Sequence, residues 1–286
     1  MELKIDIKPK YSLEIFPPKN TEDTNNLIRK LNYMKFPPEF VSVTYGAGGS
    51  NHNATVDLIK RLHDETKIDI AAHLTLVNSS ILDVKDLIKL YASIGIKKIV
   101  ALRGDPPGGL DKPYEAYIDG FQRTADLIKE IKNLNTFKVY IAGYPEIHPE
   151  SLNKEYDINT LKSKVDAGGD IIITQFFFDN QFFYNFLETL KNKNINIPVV
   201  PGIVPIVNYS AIEKFASKCG TKIPNLISKK FLNPNESSIK NNDLCINIAV
   251  NQIVALLENG IKEFHLYSLN HIQLIEKIWI TAINNY

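Results

Sequence analysis

Short apolar runs rich in β-branched and aromatic residues recur along the chain, separated by longer stretches of helical period. Eight of them read as strands: Leu13 to Phe16, Phe40 to Tyr45, Ile68 to Val77, Lys98 to Leu102, Phe137 to Ala142, Asp170 to Phe178, Ile197 to Val204, and Phe264 to Leu269. Three junctions between helical stretch and strand look alike: Ser93-Ile-Gly-Ile, Asp166-Ala-Gly-Gly and Glu258-Asn-Gly-Ile. In each, a glycine follows the helix where a left-handed residue is needed, and a strand begins shortly after.

Strands that are apolar on consecutive positions are buried on both faces, and helices between them force parallel pairing through right-handed crossovers. Eight such units close into a (β/α)8 TIM barrel, expected here to occupy residues 1–286 as one domain. An open doubly wound sheet would also alternate strand and helix, but it usually carries a glycine fingerprint after its first strand. Here that strand ends in Phe16-Pro17-Pro18. The stretch from Asn208 to Gly260 carries extra helical turns, with Ile246, Ile253 and Leu257 on one side, and reads as an elaboration of the seventh unit.

Composition narrows the partners. The chain has 286 residues, 44% hydrophobic and 23% charged, which suits a globular protein with a large core. Lys and Arg number 33 against 32 acids, so no global field favours nucleic acid or an anionic membrane. Small molecules are the expected partners. Two cysteines, Cys219 and Cys245, fit neither a disulfide framework nor a metal site, and no signal-like or membrane-spanning apolar stretch is expected. A cytoplasmic setting and no metal follow as expectations.

In such a barrel, polar residues at the carboxyl ends of strands assemble sites. Glu14 lies inside the first strand between Leu13 and Ile15. It is either an interior carboxylate paired to a Lys or Arg, or a general acid whose pKa is raised by desolvation. Arg103-Gly104-Asp105 follows the fourth strand and offers a second, differently placed carboxylate, unless it is a structural turn or ion pair. The glycine-rich Tyr45-Gly46-Ala47-Gly48-Gly49-Ser50 offers backbone N–H groups to phosphate or is a plain loop. His73, Tyr144, His148 and Gln175 lie in or just after strands three, five and six, where each alone is as well explained by packing. Metalloprotease, Walker A and serine-hydrolase motifs are missing. The residues alone leave open a flavin barrel oxidising a small amine, a glycoside hydrolase pairing Glu14 with Asp105 or Glu146, and a barrel that only binds.

A colinear set of segments resembles bacterial methylenetetrahydrofolate reductase over nearly the whole chain. The set is Ser12-Leu-Glu-Ile-Phe-Pro-Pro-Lys19, Phe40-Val-Ser-Val-Thr-Tyr-Gly-Ala47, Ala72-His-Leu-Thr75, Ile99-Val-Ala-Leu-Arg-Gly-Asp105, Gly143-Tyr-Pro-Glu-Ile-His-Pro-Glu150, Lys164-Val-Asp-Ala-Gly168, Ile173-Thr-Gln-Phe-Phe-Phe-Asp179, Pro201-Gly-Ile-Val-Pro205 and Phe264-His-Leu-Tyr-Ser-Leu-Asn270. The resemblance implies FAD as cofactor, NAD(P)H as donor, methylenetetrahydrofolate as acceptor, ping-pong exchange, and a homo-oligomer. It implies catalytic roles for Glu14, as the acid opening the folate's five-membered ring, and for Asp105, beside flavin and pterin. Flavin contacts are implied for Thr44, Tyr45, Ala47, His73, Arg103, Gly104, Asp105, Tyr117, Tyr144, His148, Ser151, Asp157, Thr160 and Lys164. Gln175, Phe215 and Tyr267 join Glu14 and Asp105 on the substrate side. The chain departs from the family pattern at His271 and Ala211 on the folate side, and at Thr160 and Ser163 on the flavin side.

Overall fold

The computed structural model describes residues 8–45, 52–106, 112, 114–134, 136–232 and 238–286. Its first half runs β1 (Lys10–Ile15), α1 (Thr21–Asn32), β2 (Phe40–Val43), α2 (His52–Glu65), β3 (Asp69–Thr75), α3 (Ile81–Ile94), β4 (Lys98–Leu102) and α4 (Thr124–Lys132). The second half runs β5 (Lys138–Gly143), α5 (Lys154–Asp166), β6 (Ile171–Phe176), α6 (Asn180–Asn192), β7 (Val199–Ile203), α7 (Tyr209–Lys218), α8 (Asn225–Phe231), α9 (Ser238–Glu258), β8 (Glu263–Tyr267) and α10 (Ile272–Asn285). Each strand pairs in parallel with the next, and β8 returns to β1, closing the expected barrel.

The period of two along a strand divides its side chains between two cores. Tyr11, Leu13 and Ile15 of β1, Val41 and Val43 of β2, and Ile99 and Ala101 of β4 face outward and are buried with the apolar faces of the helices. The alternate positions face the barrel axis, where Phe40, Ala71, Val100, Tyr140, Ile171, Ile173 and Val200 form a separate plug. Both faces are therefore dry, which is why the strands read as nearly continuous apolar runs.

The three predicted corners have left-handed glycines, Gly95, Gly168 and Gly260, with φ of +97°, +111° and +84°. Helix starts follow local chemistry as well. Asn20, Asn153, Asp179 and Asn208 each accept a backbone N–H at an N-terminus, and Ser80 forms a full capping box with Asp83. The stretch after β7 holds α7, α8 and α9, and Ile246, Ile253 and Leu257 of α9 are all buried, as the helical period required.

Every strand except β4 shifts at one or both ends from its expected bounds, by one to three residues. Thr44 and Tyr45 lie beyond the end of β2, and Phe177 and Phe178 beyond β6. Phe177 is buried because it stacks on Phe183 of α6 at 5.4 Å, not because it belongs to the sheet. β1 starts earlier than its apolar run, at Lys10, because its backbone already pairs there with β8: the Lys10 N–H donates to the Lys262 carbonyl at 2.9 Å. Among the described residues, no helix is long and apolar enough to cross a membrane.

Candidate active site

Following the inward-facing positions upward shows how the strands build a site. On β1 they are Lys10, Ser12 and Glu14, and on β8 Glu263, His265 and Tyr267. The amino end of the barrel holds a small cavity of about 180 Å³, whose walls include Lys10, Ser12, Lys98, Lys138 and Glu263. The carboxyl end opens into a cleft of about 890 Å³, within the range of cofactor and substrate sites.

The cleft gathers almost all the residues expected of a site: Glu14, Thr44, Tyr45, His73, Arg103, Gly104, Asp105, Tyr144, His148, Ser151, Asp157, Thr160, Lys164, Gln175, Phe215 and Tyr267. Ala47 lies outside the described residues. Tyr117 is not among the residues lining the cleft; it is 44% exposed, and its carbonyl accepts the Gly120 N–H at 2.9 Å.

Among the described residues, Glu14 forms no ion pair with a lysine or an arginine. Its Oε2 is 3.6 Å from Nε2 of His73 and 3.8 Å from Nε2 of His265. Burial depresses the His73 pKa to about 4, so that ring is neutral near pH 7. Its Nε2 has no hydrogen-bond partner although fully enclosed, and the hydroxyl of Thr75 on the same strand is in the same position. Buried polar atoms without partners are costly, by roughly 1–3 kcal/mol each. Both residues line the cleft, with these atoms enclosed in its wall.

The adjoining wall, built after β4 and β5, carries Arg103 and Lys164 and is tightly braced. Arg103 donates two hydrogen bonds to Glu150, at 2.6 and 2.7 Å, and lies over the Tyr114 ring at 4.5 Å. That bidentate bond holds the Glu150 carboxyl below its ordinary range. Asp105 stands at the rim; partial desolvation by the cleft walls raises its pKa, and Arg103 opposes this. Asp157 accepts from the His148 backbone N–H at 3.3 Å and from the Ser151 hydroxyl at 3.1 Å. Lys164 donates to the Ala142 carbonyl at 2.6 Å, and burial lowers its pKa to about 8, with Asp157 pulling the other way. A buried lysine whose nearest anchor is a neutral carbonyl is a cation in want of an anion.

Aromatic groups close the remaining side. The Tyr267 ring reaches across β7 because position 202 is glycine: a Cβ there would lie 2.2 Å from the Thr174 carbonyl oxygen and 2.6 Å from the ring itself. Its hydroxyl donates to that same carbonyl at 2.9 Å. Phe215 packs on Phe176 at 5.3 Å yet is 41% exposed, presenting an apolar surface over the mouth. The Gln175 side chain folds back, its Oε1 accepting the Phe176 N–H at 3.0 Å, so its amide NH₂ is the group left to meet a ligand.

Glu146 does not join Glu14. It is outside the cleft lining, and its carboxylate accepts the Lys222 backbone N–H at 3.0 and 3.2 Å. Sequence reading passed over Thr75, Tyr114, Glu150 and His265 as site residues. His265 had a signal, since it alternates with Tyr267 on the last strand. Glu150 had none beyond its place in a shared segment. Taken together, the cleft has His73 and Thr75 on one wall, cations on the adjoining one and aromatic surface on the remaining side. Those features suit a large anionic heteroaromatic cofactor with room for a second ligand.

Known proteins carry the same chain pattern. A family model described as methylenetetrahydrofolate reductase matches residues 2–282. The 5,10-methylenetetrahydrofolate reductase of Buchnera aphidicola from Schizaphis graminum is 39% identical over 274 residues, covering 95% of this chain and 91% of that one. The corresponding enzyme of Escherichia coli K12 is 35% identical over 266 residues, covering 92% and 87%. Among solved structures, an uncharacterized protein from Clostridium thermocellum, described as binding two copies of 5-methyl-5,6,7,8-tetrahydrofolic acid, aligns with a TM-score of 0.65 at 17% identity, over 98% of this chain and 95% of that one.

Proposed function

Because this chain belongs to the methylenetetrahydrofolate reductase family, we propose that it reduces methylenetetrahydrofolate to methyltetrahydrofolate with FAD as cofactor and NAD(P)H as donor. The observation that carries this reading is the position of Glu14. A half-buried carboxyl at the cleft floor, facing two histidines and with no lysine or arginine in ion-pair reach among the described residues, is placed to give a proton to a ring nitrogen of a bound folate.

When bound, FAD supplies the hydride relay between NAD(P)H and the folate's one-carbon unit. The chain's residues supply the rest. Lys164, and Arg103 where it can exchange Glu150 for a phosphate, are the groups suited to the cofactor's phosphates, and the His73 and Thr75 side chains line the wall beside its ring edge. Glu14 protonates the ring nitrogen, opening the folate's five-membered ring and creating the iminium that accepts hydride. Asp105 stands by the pterin and the flavin pyrimidine, and the Gln175 amide is shared by folate and nicotinamide. Phe215 and Tyr267 sandwich the flat part of whichever substrate is bound. A single cleft serving both in turn implies ping-pong exchange.

The test is spectroscopic. Purified protein reconstituted with FAD should be yellow, bleach on addition of NAD(P)H, and regain its colour with methylenetetrahydrofolate. Protein that takes up no flavin, or that stays bleached with the folate, would sink the reading.

A further inference from the structure

Beneath Glu14 lies a buried pair that the proposed reaction does not use. Ser12, two residues earlier and facing the same way, is 2.7 Å from Nδ1 of His265, and its hydroxyl also reaches the Phe264 carbonyl at 3.3 Å. Both side chains are buried, Ser12 against the wall of the lower cavity and His265 against the upper cleft. Nε2 of the same imidazole faces Glu14.

A serine hydroxyl has one proton, and here it has two acceptors. The 2.7 Å separation is typical of an O–H donor and short for a ring N–H donating to oxygen, so the favoured arrangement has Ser12 donating to Nδ1. The ring proton is then on Nε2, directed at the Glu14 carboxylate. When Glu14 is protonated, that N–H faces an acid O–H, and two donors oppose each other. The conflict disappears if the Ser12 hydroxyl swings to the Phe264 carbonyl: Nδ1 carries the ring proton and donates it to Oγ, and Nε2 becomes an acceptor for the acid. The protonated arrangement holds one proton more than the ionised one, and that proton is the one Glu14 later gives away.

We propose that Ser12 is a positioning residue for Glu14, acting through the tautomer of His265 so that the ring offers a donor to the carboxylate and an acceptor to the acid. The other groups around Glu14 do not provide this. His73 on β3 is neutral with an unpartnered Nε2, and the Tyr267 hydroxyl on β8 is committed to Thr174. Arg103, Asp105 and Tyr144 line the same cleft from β4 and β5, where Arg103 is taken by Glu150. At 3.8 Å the His265–Glu14 coupling acts through space, so its effect is a shift of the acid's titration rather than its loss.

The inference rests on the reading of Glu14 as the acid of the folate step. Its test uses the reconstituted holoenzyme and follows flavin reoxidation by methylenetetrahydrofolate against pH, in the native protein, in Ser12→Ala and in Ser12→Thr. Without the hydroxyl, the bias toward Nε2–H is lost and the carboxylate loses part of its donor. Glu14 then holds its proton to higher pH. In Ser12→Ala the pH at which the rate halves should rise by a few tenths of a unit, less than the roughly 0.5–1 unit of one net hydrogen bond because the coupling acts across 3.8 Å, and Ser12→Thr should restore it. Nuclear magnetic resonance of labelled histidine in the native protein reads the tautomer directly and remains available if Ser12→Ala fails to fold. It should show His265 as Nε2–H where Glu14 is ionised and as Nδ1–H where Glu14 is protonated. An unmoved midpoint in folded Ser12→Ala, or a His265 tautomer that ignores the protonation of Glu14, overturns the proposal. Native protein that bleaches but is never reoxidised by the folate overturns the functional reading instead, and leaves the tautomer measurement to stand by itself.

Discussion

The two ends of the barrel are made by the same strands, only four or five residues apart, and they treat charge in opposite ways. At the amino end Lys10 pairs with Glu263 and Glu39, Lys98 with Asp69, and Lys132 with Asp170. Lys10 and Lys98, which line the small cavity there, each have an acid within reach. At the carboxyl end Arg103 is paired with Glu150, but Glu14 faces histidines, Lys164 hydrogen-bonds a neutral carbonyl with Asp157 acting on it only through space, and buried atoms of His73 and Thr75 have no partner. Charges that satisfy one another leave nothing for a ligand. The carboxyl end holds its groups in unfavourable surroundings, an arrangement a fold tolerates where a bound molecule will complete it.

That contrast predicts a graded set of effects. The largest belongs to Glu14→Gln, which removes the acid while keeping its size. Folate-dependent reoxidation should fall at least about 10²-fold, the usual loss for a general acid, while reduction by NAD(P)H changes little. Stopped-flow measurement of the two half-reactions decides it, and an equal loss in both would assign Glu14 to holding the cofactor. A smaller effect is expected for Asp105→Asn. Removing a negative charge near a flavin that becomes anionic on reduction should raise its midpoint potential. Roughly 1–3 kcal/mol at an effective dielectric near 20 corresponds to about 20–65 mV. A potential that is unchanged or lower in spectroelectrochemistry would mean that Asp105 is protonated or far from the ring. The smallest effect belongs to the floor. Lys98→Met keeps the buried stem and leaves Asp69 solvated, so denaturant unfolding should register about 1 kcal/mol or less and neither half-reaction should change. A large loss of activity there would erase the distinction between the ends.

Legibility in the sequence followed the same division. The barrel could be read because outward and inward positions are both apolar through the middle of the strands, and because glycine closes three of the corners. Where strands become polar the reading slipped. Lys10 to Ser12 do not look like a strand until their partners on β8 are known, and Thr44 and Tyr45 look like one although the ladder has ended. At the cleft, almost all the residues singled out inside distinctive segments do come together. The partners that set their chemistry are not legible in the sequence, because Arg103 with Glu150 and Ser12 with His265 meet across 47 and 253 positions. No local pattern encodes such a meeting. It is a product of closure.

Closure also has an order in time. The seam between β1 and β8 joins the two most distant strands of the barrel, and Glu14 sits on it: its carbonyl accepts the Ser268 N–H and hydroxyl from a residue 254 positions later. Contacts of such long separation are the slowest to form, since the loop they close is nearly the whole chain. During synthesis the acid emerges from the ribosome early and waits for almost every other residue before it acquires its histidine on β8. A chain stalled before that strand would carry Glu14, Arg103, Asp105 and Lys164 and still lack His265 and Tyr267, so the geometry of the seam would withhold the proposed reaction from incomplete copies.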